Sequence, residues 1–130
     1  MEVKDIDWSK LEKYAWAVRE NASLIGKTKV GAVVLTSKGN IYAGCNLEHK
    51  YRCHDIHAEI NAISTMVANG EKRFIAILIV AERHRFTPCG SCMDWIFEHG
   101  GEDCIVSYQN IPGGDVFKFS AKELMPYYPA

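Results

Sequence analysis

Near the start of the chain, apolar residues recur every three to four positions. Trp8, Leu11, Tyr14, Ala15, Val18 and Ala22 fall on one stripe, which predicts an amphipathic helix. Ser9 and Glu12 have the spacing of a capping box at its start, and its end is expected between Ser23 and Gly26. The pattern then changes. Two β-rich runs, Val30 to Thr36 and Ile41 to Cys45, flank the turn sequence SKGN, as in a hairpin. Asn46 to Ile56 is polar and irregular. A second helix is expected from about His57 through Met66 to about Asn69, with Gly70 as its stop. Phe74 to Ala81, FIAILIVA, is an unbroken apolar run and fits a strand covered on both faces. A loop carries Glu82 to Pro88. A third helix follows from about Cys89 to His99 and stops at two glycines. Cys104 to Tyr108 and Asp115 to Phe119 read as the last strands, and Ser120 with Glu123 forms a capping box before a final helical turn.

The predicted order is α-β-β-α-β-α-β-β-α. A hairpin followed by a βα pattern gives a mixed sheet with helices on its faces. Only about six residues, Gln109 to Gly114, separate the last two strands. That is too short for a crossover helix, so these strands should be antiparallel. There is no internal repeat, low-complexity segment or linker, and residues 1–130 are read as one domain.

Composition narrows the function classes. Apolar residues make up 48% and charged residues 24%, an ordinary balance for a globular chain. The net charge is −1 and lacks the basic footprint of a protein that grips a phosphate backbone. The short clusters Glu71–Arg73 and Glu82–Arg85 are read as solvated surface. No stretch approaches the ~18 consecutive apolar residues of a membrane span. The first residues, MEVKDIDWSKLEKY, lack a basic segment followed by an apolar one, so no secretory signal is expected and a cytoplasmic location is. The five cysteines are then not a disulfide framework. Metal binding or a catalytic thiol becomes the better question.

Cys89 and Cys92, within TPCGSC, lie three apart at a predicted helix start, on one face of the turn. Helix N-termini favour thiolates. His57 sits at the start of the other helix. Both helices follow strands, so both starts should lie at the same sheet edge. The three side chains could converge there as zinc ligands, and three protein ligands with one open position is the catalytic arrangement. Glu59, two residues after His57, is placed to carry protons rather than to ligate. A histidine at a helix start also serves as a cap, and a C-x-x-C after a strand also fits a redox pair. H-x-E followed about thirty residues later by P-C-x-x-C is, as a combination, the signature of zinc deaminases.

With these residues in place the sequence resembles the small, free-nucleoside type of the zinc-dependent cytidine deaminase family, to which blasticidin-S deaminase is related. The resemblance runs from about Val30 to Pro126. VGAVVLTSKGNIYAGCNLEH is similar to the family's first hairpin and its N-x-E segment. HAEINAI is similar to the catalytic helix, TPCGSC to the second zinc motif, and KELMP to the C-terminal element. The resemblance implies a three-layer α/β/α sandwich on a five-stranded mixed sheet. The short final hairpin is similar to members acting on free nucleosides, whereas relatives acting on nucleic acid or deoxynucleotides usually place a helix there.

Carried over residue by residue, the resemblance implies that His57, Cys89 and Cys92 hold Zn²⁺ and that Glu59 relays protons. Backbone groups of Ala58 and Thr87 would contact the pyrimidine edge, and Asn46 and Glu48 the ribose hydroxyls. Two thiolates and a neutral histidine balance the zinc charge. Three-cysteine members compensate for their extra thiolate with an arginine, commonly just after the glutamate. Here that position is Ile60, in agreement with a histidine ligand. The implied activity is hydrolytic deamination of cytidine and deoxycytidine in pyrimidine salvage by a homotetramer, with no nucleic-acid or membrane partner. Two alternatives stand beside it: the same chemistry on another aminated pyrimidine, such as a blasticidin-type antibiotic or modified nucleoside, and a structural zinc module that binds a partner. The sequence departs from the family at Met93 and Asp94, where Arg-Gln is common. It departs again at Thr28, where a phenylalanine often packs on the nucleoside. The segment Lys50–Ile56 is also unusual. Its Cys53 and His54 are read as loop residues, with pocket lining or stray ligation as the alternatives.

Overall fold

The computed structural model describes residues 5–129. Their five strands are β1 (Gly31–Leu35), β2 (Ile41–Cys45), β3 (Ala76–Val80), β4 (Ile105–Gln109) and β5 (Phe117–Ser120). They form one mixed sheet in the order β2-β1-β3-β4-β5. β1 is antiparallel to β2 and β3, β3 is parallel to β4, and β4 is antiparallel to β5. The helices are α1 (Trp8–Arg19), α2 (Ala58–Ala68), α3 (Gly90–Gly100) and the short α4 (Ala121–Leu124). The expected α/β/α layering, mixed sheet and antiparallel last pair are all present.

Side-chain alternation explains the apolar run in β3. Ile77 and Ile79 pack with α2 and α3 through Met66, Met93 and Ile96. Ala76, Leu78 and Val80 pack with α1 through Leu11 and Ala15. Every residue of β3 is buried, so neither face tolerates a polar side chain.

The first helix differs from expectation in three details. Asp7, not Ser9, caps it, its carboxylate accepting from the Lys10 N–H at 3.2 Å. It ends at Arg19, and residues 20–22 continue as tight turns that donate to Ala17, Val18 and Arg19 carbonyls. Tyr14 faces outward, while Trp16 packs on the core and donates its indole N–H to Gln109 at 2.6 Å. That buried amide also donates to Glu12 and to the Gly114 carbonyl. The Gln109 amide oxygen gives the Trp16 indole a partner on the packed face, a long-range pairing that the stripe of apolar spacing does not encode.

β2 runs parallel to β3, because both are antiparallel to β1. Their C-terminal ends therefore share one edge of the sheet, and the chain leaves that edge towards α2 and α3. α2 lies directly on β2. A Cβ on Gly44 would come within 2.3 Å of the Ala62 nitrogen and 2.7 Å of the Asn61 carbonyl carbon. Asn61 also accepts the Cys45 N–H at 3.0 Å. Beyond the other end of α2, Glu71 accepts from Asn40 at 2.8 Å and from the Tyr42 hydroxyl at 2.7 Å. The helix is thus fixed at both ends to the hairpin.

Gly44→Ala should cost about 1–3 kcal/mol, the range for overpacking a tight site, seen as a lower unfolding midpoint in denaturant. An unchanged midpoint would mean that α2 does not sit this close to β2. The contacts with Tyr42 and Asn40 hold the Glu71 carboxyl below the usual carboxylate range. Its stabilisation is present above the unfolded-state pKa and is lost as pH falls through the lower folded value. Wild type should therefore lose more stability than Glu71→Gln on acidification below about pH 5, measured by denaturation at stepped pH.

Candidate metal centre

α2 and α3 each begin with a residue whose side chain is not used as a cap. His57 precedes α2 in extended conformation, and Cys89 precedes α3 likewise; neither side chain bonds its own helix N-terminus. Both side chains are thereby free to face each other. Cys92, one turn into α3, is fully buried. The His57 Nδ1 atom lies 3.3 Å from Cys92 Sγ and 3.4 Å from Cys89 Sγ, and the three donor atoms all lie within 4.8 Å of one another. Tetrahedral zinc with ordinary bond lengths sets neighbouring donors about 3.5 Å apart, so the spacing fits that metal. Among the described residues this is the sole His/Cys/Asp/Glu group able to hold a metal. All five cysteines are free thiols.

Electrostatics supports the same reading. Burial pushes the Cys92 thiol far up, and the nearby Glu59 and Cys89 push it further. A buried thiol beside two acidic groups becomes a thiolate when a cation binds the sulfur in the proton's place, which is what a zinc ion at this point would do. The positive ends of both helix dipoles point at the cluster and favour the thiolate form.

Glu59 occupies the second residue of α2, is 5% exposed, and lines the cavity beside the cluster. Burial raises its pKa above the usual carboxylate range, while its own backbone N–H, His57 and Cys92 draw it partly back. A carboxyl shifted towards neutrality by desolvation suits proton relay.

The cavity, about 430 Å³, also meets Ala58, Thr87, Asn46 and Glu48, so it brings together all the substrate-side residues expected from the sequence. Asn46 is largely committed to the fold. Its Oδ1 accepts from the Val30 N–H at 2.9 Å, and its Nδ2 donates to the Thr28 carbonyl at 2.9 Å. One donor and one acceptor site remain on the amide. Glu48 accepts from the N–H groups of Ile25 and Gly26 at 2.9 and 2.7 Å and pairs with Arg52 at 3.2 Å. Those backbone donors hold its carboxyl below the ordinary range, so it faces the cavity ionised.

Other residues were not anticipated. Phe86 lines the cavity and so do Arg52, Arg83 and Arg85. The cluster Glu82–Arg85 is exposed, as expected, but two of its arginines border the cavity rather than plain surface. Cys53 and His54 are exposed and do not line it; His54 packs edge-on against His49. A fourth protein ligand is therefore not supplied from that loop. The departures at Met93 and Asp94 have structural uses. Met93 is buried in the core, and Asp94 accepts the Tyr128 hydroxyl at 2.7 Å, holding a tail whose Tyr128 ring stacks on Phe97.

Comparison with known proteins agrees with this geometry. A family model described as the cytidine and deoxycytidylate deaminase zinc-binding region matches residues 7–108. A cytidine deaminase of Sporosarcina psychrophila is 32% identical over 123 residues, spanning 93% of this chain and 90% of the relative. A probable cytidine deaminase of Dictyostelium discoideum is 34% identical over 100 residues, 75% of this chain and 66% of the relative. The crystal structure of cytidine deaminase from Burkholderia pseudomallei superposes with a TM-score of 0.85 at 32% identity, covering 94% of this chain and 98% of that one. The fold and donor set define a zinc enzyme of the deaminase class. The chain belongs to the cytidine and deoxycytidylate deaminase zinc-binding family.

Purified protein should carry about one zinc per chain, and His57→Ala or Cys92→Ser should carry little, as expected when one of three protein ligands is removed. Elemental analysis after dialysis checks this. Full retention of zinc in either variant would place the metal elsewhere.

Proposed function

We propose that the protein hydrolyses the exocyclic amine of cytidine and deoxycytidine, giving uridine and deoxyuridine with release of ammonia. One observation carries the reading: a buried carboxyl, Glu59, on a cavity wall beside a three-donor cluster of the right spacing for zinc. His57, Cys89 and Cys92 would hold the metal. Zinc, when bound, supplies the Lewis acidity that makes water a nucleophile near neutral pH.

The chain's own residues do the rest. Glu59 accepts a proton from the attacking water and delivers it to ring N3. It then takes the remaining proton from the hydroxyl now on C4 and passes it to the amine, so that the bond from C4 to nitrogen breaks, ammonia leaves and the ring keeps a carbonyl oxygen at C4. Its burial matters twice. It raises proton affinity, and it keeps bulk water from competing for the relay. Ala58, buried at the start of α2, and Thr87, just before the cluster's proline, supply backbone groups for the pyrimidine edge. Glu48 receives a ribose hydroxyl with its ionised carboxylate. Asn46 offers its remaining amide capacity to the sugar while holding the Thr28–Val30 wall.

The wider setting belongs to the same proposal. The enzyme serves pyrimidine salvage in the cytoplasm, where reduced thiols are the rule, in keeping with five free cysteines. None of the described helices is long and apolar enough to cross a membrane. A homotetramer is supported by exposed Ile25, Leu47, Tyr51 and Ile56; a bridge joins Leu47 to Ile56, and Ile56 borders the cavity. The same chemistry on another aminated pyrimidine is a second reading, favoured by Thr28 and the arginines of the cavity wall.

Zinc-replete protein should convert cytidine to uridine, followed by loss of the cytidine absorption band. Glu59→Gln should keep its zinc and lose roughly 10³-fold or more in kcat, at the upper part of the range for general acid–base groups. Activity within about tenfold of wild type would remove Glu59 from the proton relay.

A further inference from the structure

The unusual segment from Lys50 to Ile56 is organised around one arginine. Its neck is closed by two backbone bonds: the Leu47 N–H donates to the Ile56 carbonyl at 2.9 Å, and the Ile56 N–H to the Leu47 carbonyl at 2.8 Å. Directly inside that neck stand Glu48 on one side and Asp55 on the other. Arg52 joins them, with Nε 2.9 Å from Asp55 Oδ2 and Nη2 3.2 Å from Glu48 Oε2. All three residues border the cavity. Asp55 is held in turn by the His49 N–H, which its Oδ1 accepts at 2.8 Å. The loop thus leads from the residue assigned to the sugar to His57, the residue that precedes α2.

The acceptor sites of Glu48 can be followed one by one. Each carboxylate oxygen has two lone-pair positions. On Oε1 both are taken, by the N–H groups of Ile25 and Gly26 at 2.9 and 2.7 Å. On Oε2 Arg52 occupies one, and among the described residues the other is open. A sugar hydroxyl therefore meets Glu48 at Oε2, the oxygen that Arg52 holds. The two backbone bonds make Oε1 a pivot about which the carboxylate can still turn. The planar fork of Arg52, fixed at its other branch by Asp55, removes that freedom. It also stands between two like charges that would otherwise repel. The Arg52 side chain is 53% exposed, against 12% for Glu48 and 16% for Asp55. An ion pair so open to water adds little stability, so the fold does not depend on Arg52, whereas the direction of Oε2 does.

We infer that Arg52 is a positioning residue for the sugar: it aims the open acceptor of Glu48 into the cavity, and so sets affinity for a hydroxylated sugar rather than the rate of the chemical step. The inference rests on the deaminase reading, in which Glu48 meets the sugar, and adds the residue that orients that contact.

Arg52→Gln removes the charge and the fork. Its zinc content and unfolding midpoint should match wild type, as for an exposed pair. Its KM for cytidine should rise about tenfold, with kcat within about threefold of wild type, the pattern of a weakened binding contact to a charged group. With 2′,3′-dideoxycytidine, which lacks both ring hydroxyls, the same substitution should change KM by less than about twofold, and the difference measures the coupling of Arg52 to those hydroxyls. Adding Arg52→Gln to Glu48→Gln should likewise change KM for cytidine by less than about twofold. Calorimetric titration of zinc-loaded protein with uridine and with 2′,3′-dideoxyuridine reads the same coupling without turnover. An equal rise for both nucleosides, an unchanged KM, or a fall in kcat as large as the rise in KM would overturn the inference even if cytidine is deaminated. Hydroxyl-dependent weakening by Arg52→Gln in the titrations, with no turnover of cytidine, would instead uphold the Arg52 assignment and sink the deamination reading.

Discussion

Three donor atoms from two separate helices must meet within 4.8 Å, and the rest of the structure can be understood as the means of meeting that requirement. An imidazole and two thiols, of which Cys92 is buried and His57 and Cys89 are exposed, converge from two helix starts as ligands around a cation do. The sheet brings them together. β2 and β3 are parallel although no direct bond joins them, because each is antiparallel to β1. Their C-terminal ends thus reach the same edge, and both helices return from it with their N-termini side by side. The open edge of an α/β sheet at the carboxyl ends of its strands is the usual position for a ligand site.

Precision then depends on small residues and polar anchors. Gly44 admits the α2 backbone against β2, where even a methyl group would collide. Asn61 fixes the first turn of that helix to Cys45, and Glu71 fixes the region after its end to the hairpin turn. On α3, Cys92 is held among buried Met93 and Ile96, so its sulfur has little freedom. Such support matters because a displacement of about 1 Å at a reacting group can cost on the order of 10²-fold in rate. The same packing of α2 that sets Glu59 beside the donor cluster also buries it, and the burial raises its proton affinity. Position and acidity therefore come from one structural cause.

Much of this was legible in the sequence, for identifiable reasons. Metal ligands and the proton carrier need particular residue types at fixed helical spacing, so H-x-E and P-C-x-x-C are visible locally. β3 is visible because burial on both faces demands an unbroken apolar run. What escaped notice depends on long-range partners. Asn46 looks like a ligand-binding amide, yet most of its capacity goes to the backbone of Thr28 and Val30. Gln109 lies in a strand but ties Trp16, Glu12 and Gly114 together, a contact across some ninety positions that no local pattern records. The cavity arginines have the composition of ordinary surface, because side chains at a cavity rim are themselves solvated. Asp7 rather than Ser9 caps α1 since both residues are competent caps, and the buried positions of Leu11 and Ala15 fix where the helix starts.

The central claim is an open three-ligand zinc site built from two helix starts. X-ray absorption at the zinc edge of the purified protein tests it most directly. The account predicts two sulfur scatterers at about 2.3 Å and two lighter ones at about 2.0–2.1 Å, with a change in the light-atom shell when a pyrimidine nucleoside analogue is added. A third sulfur, or a four-ligand shell indifferent to the analogue, would contradict it.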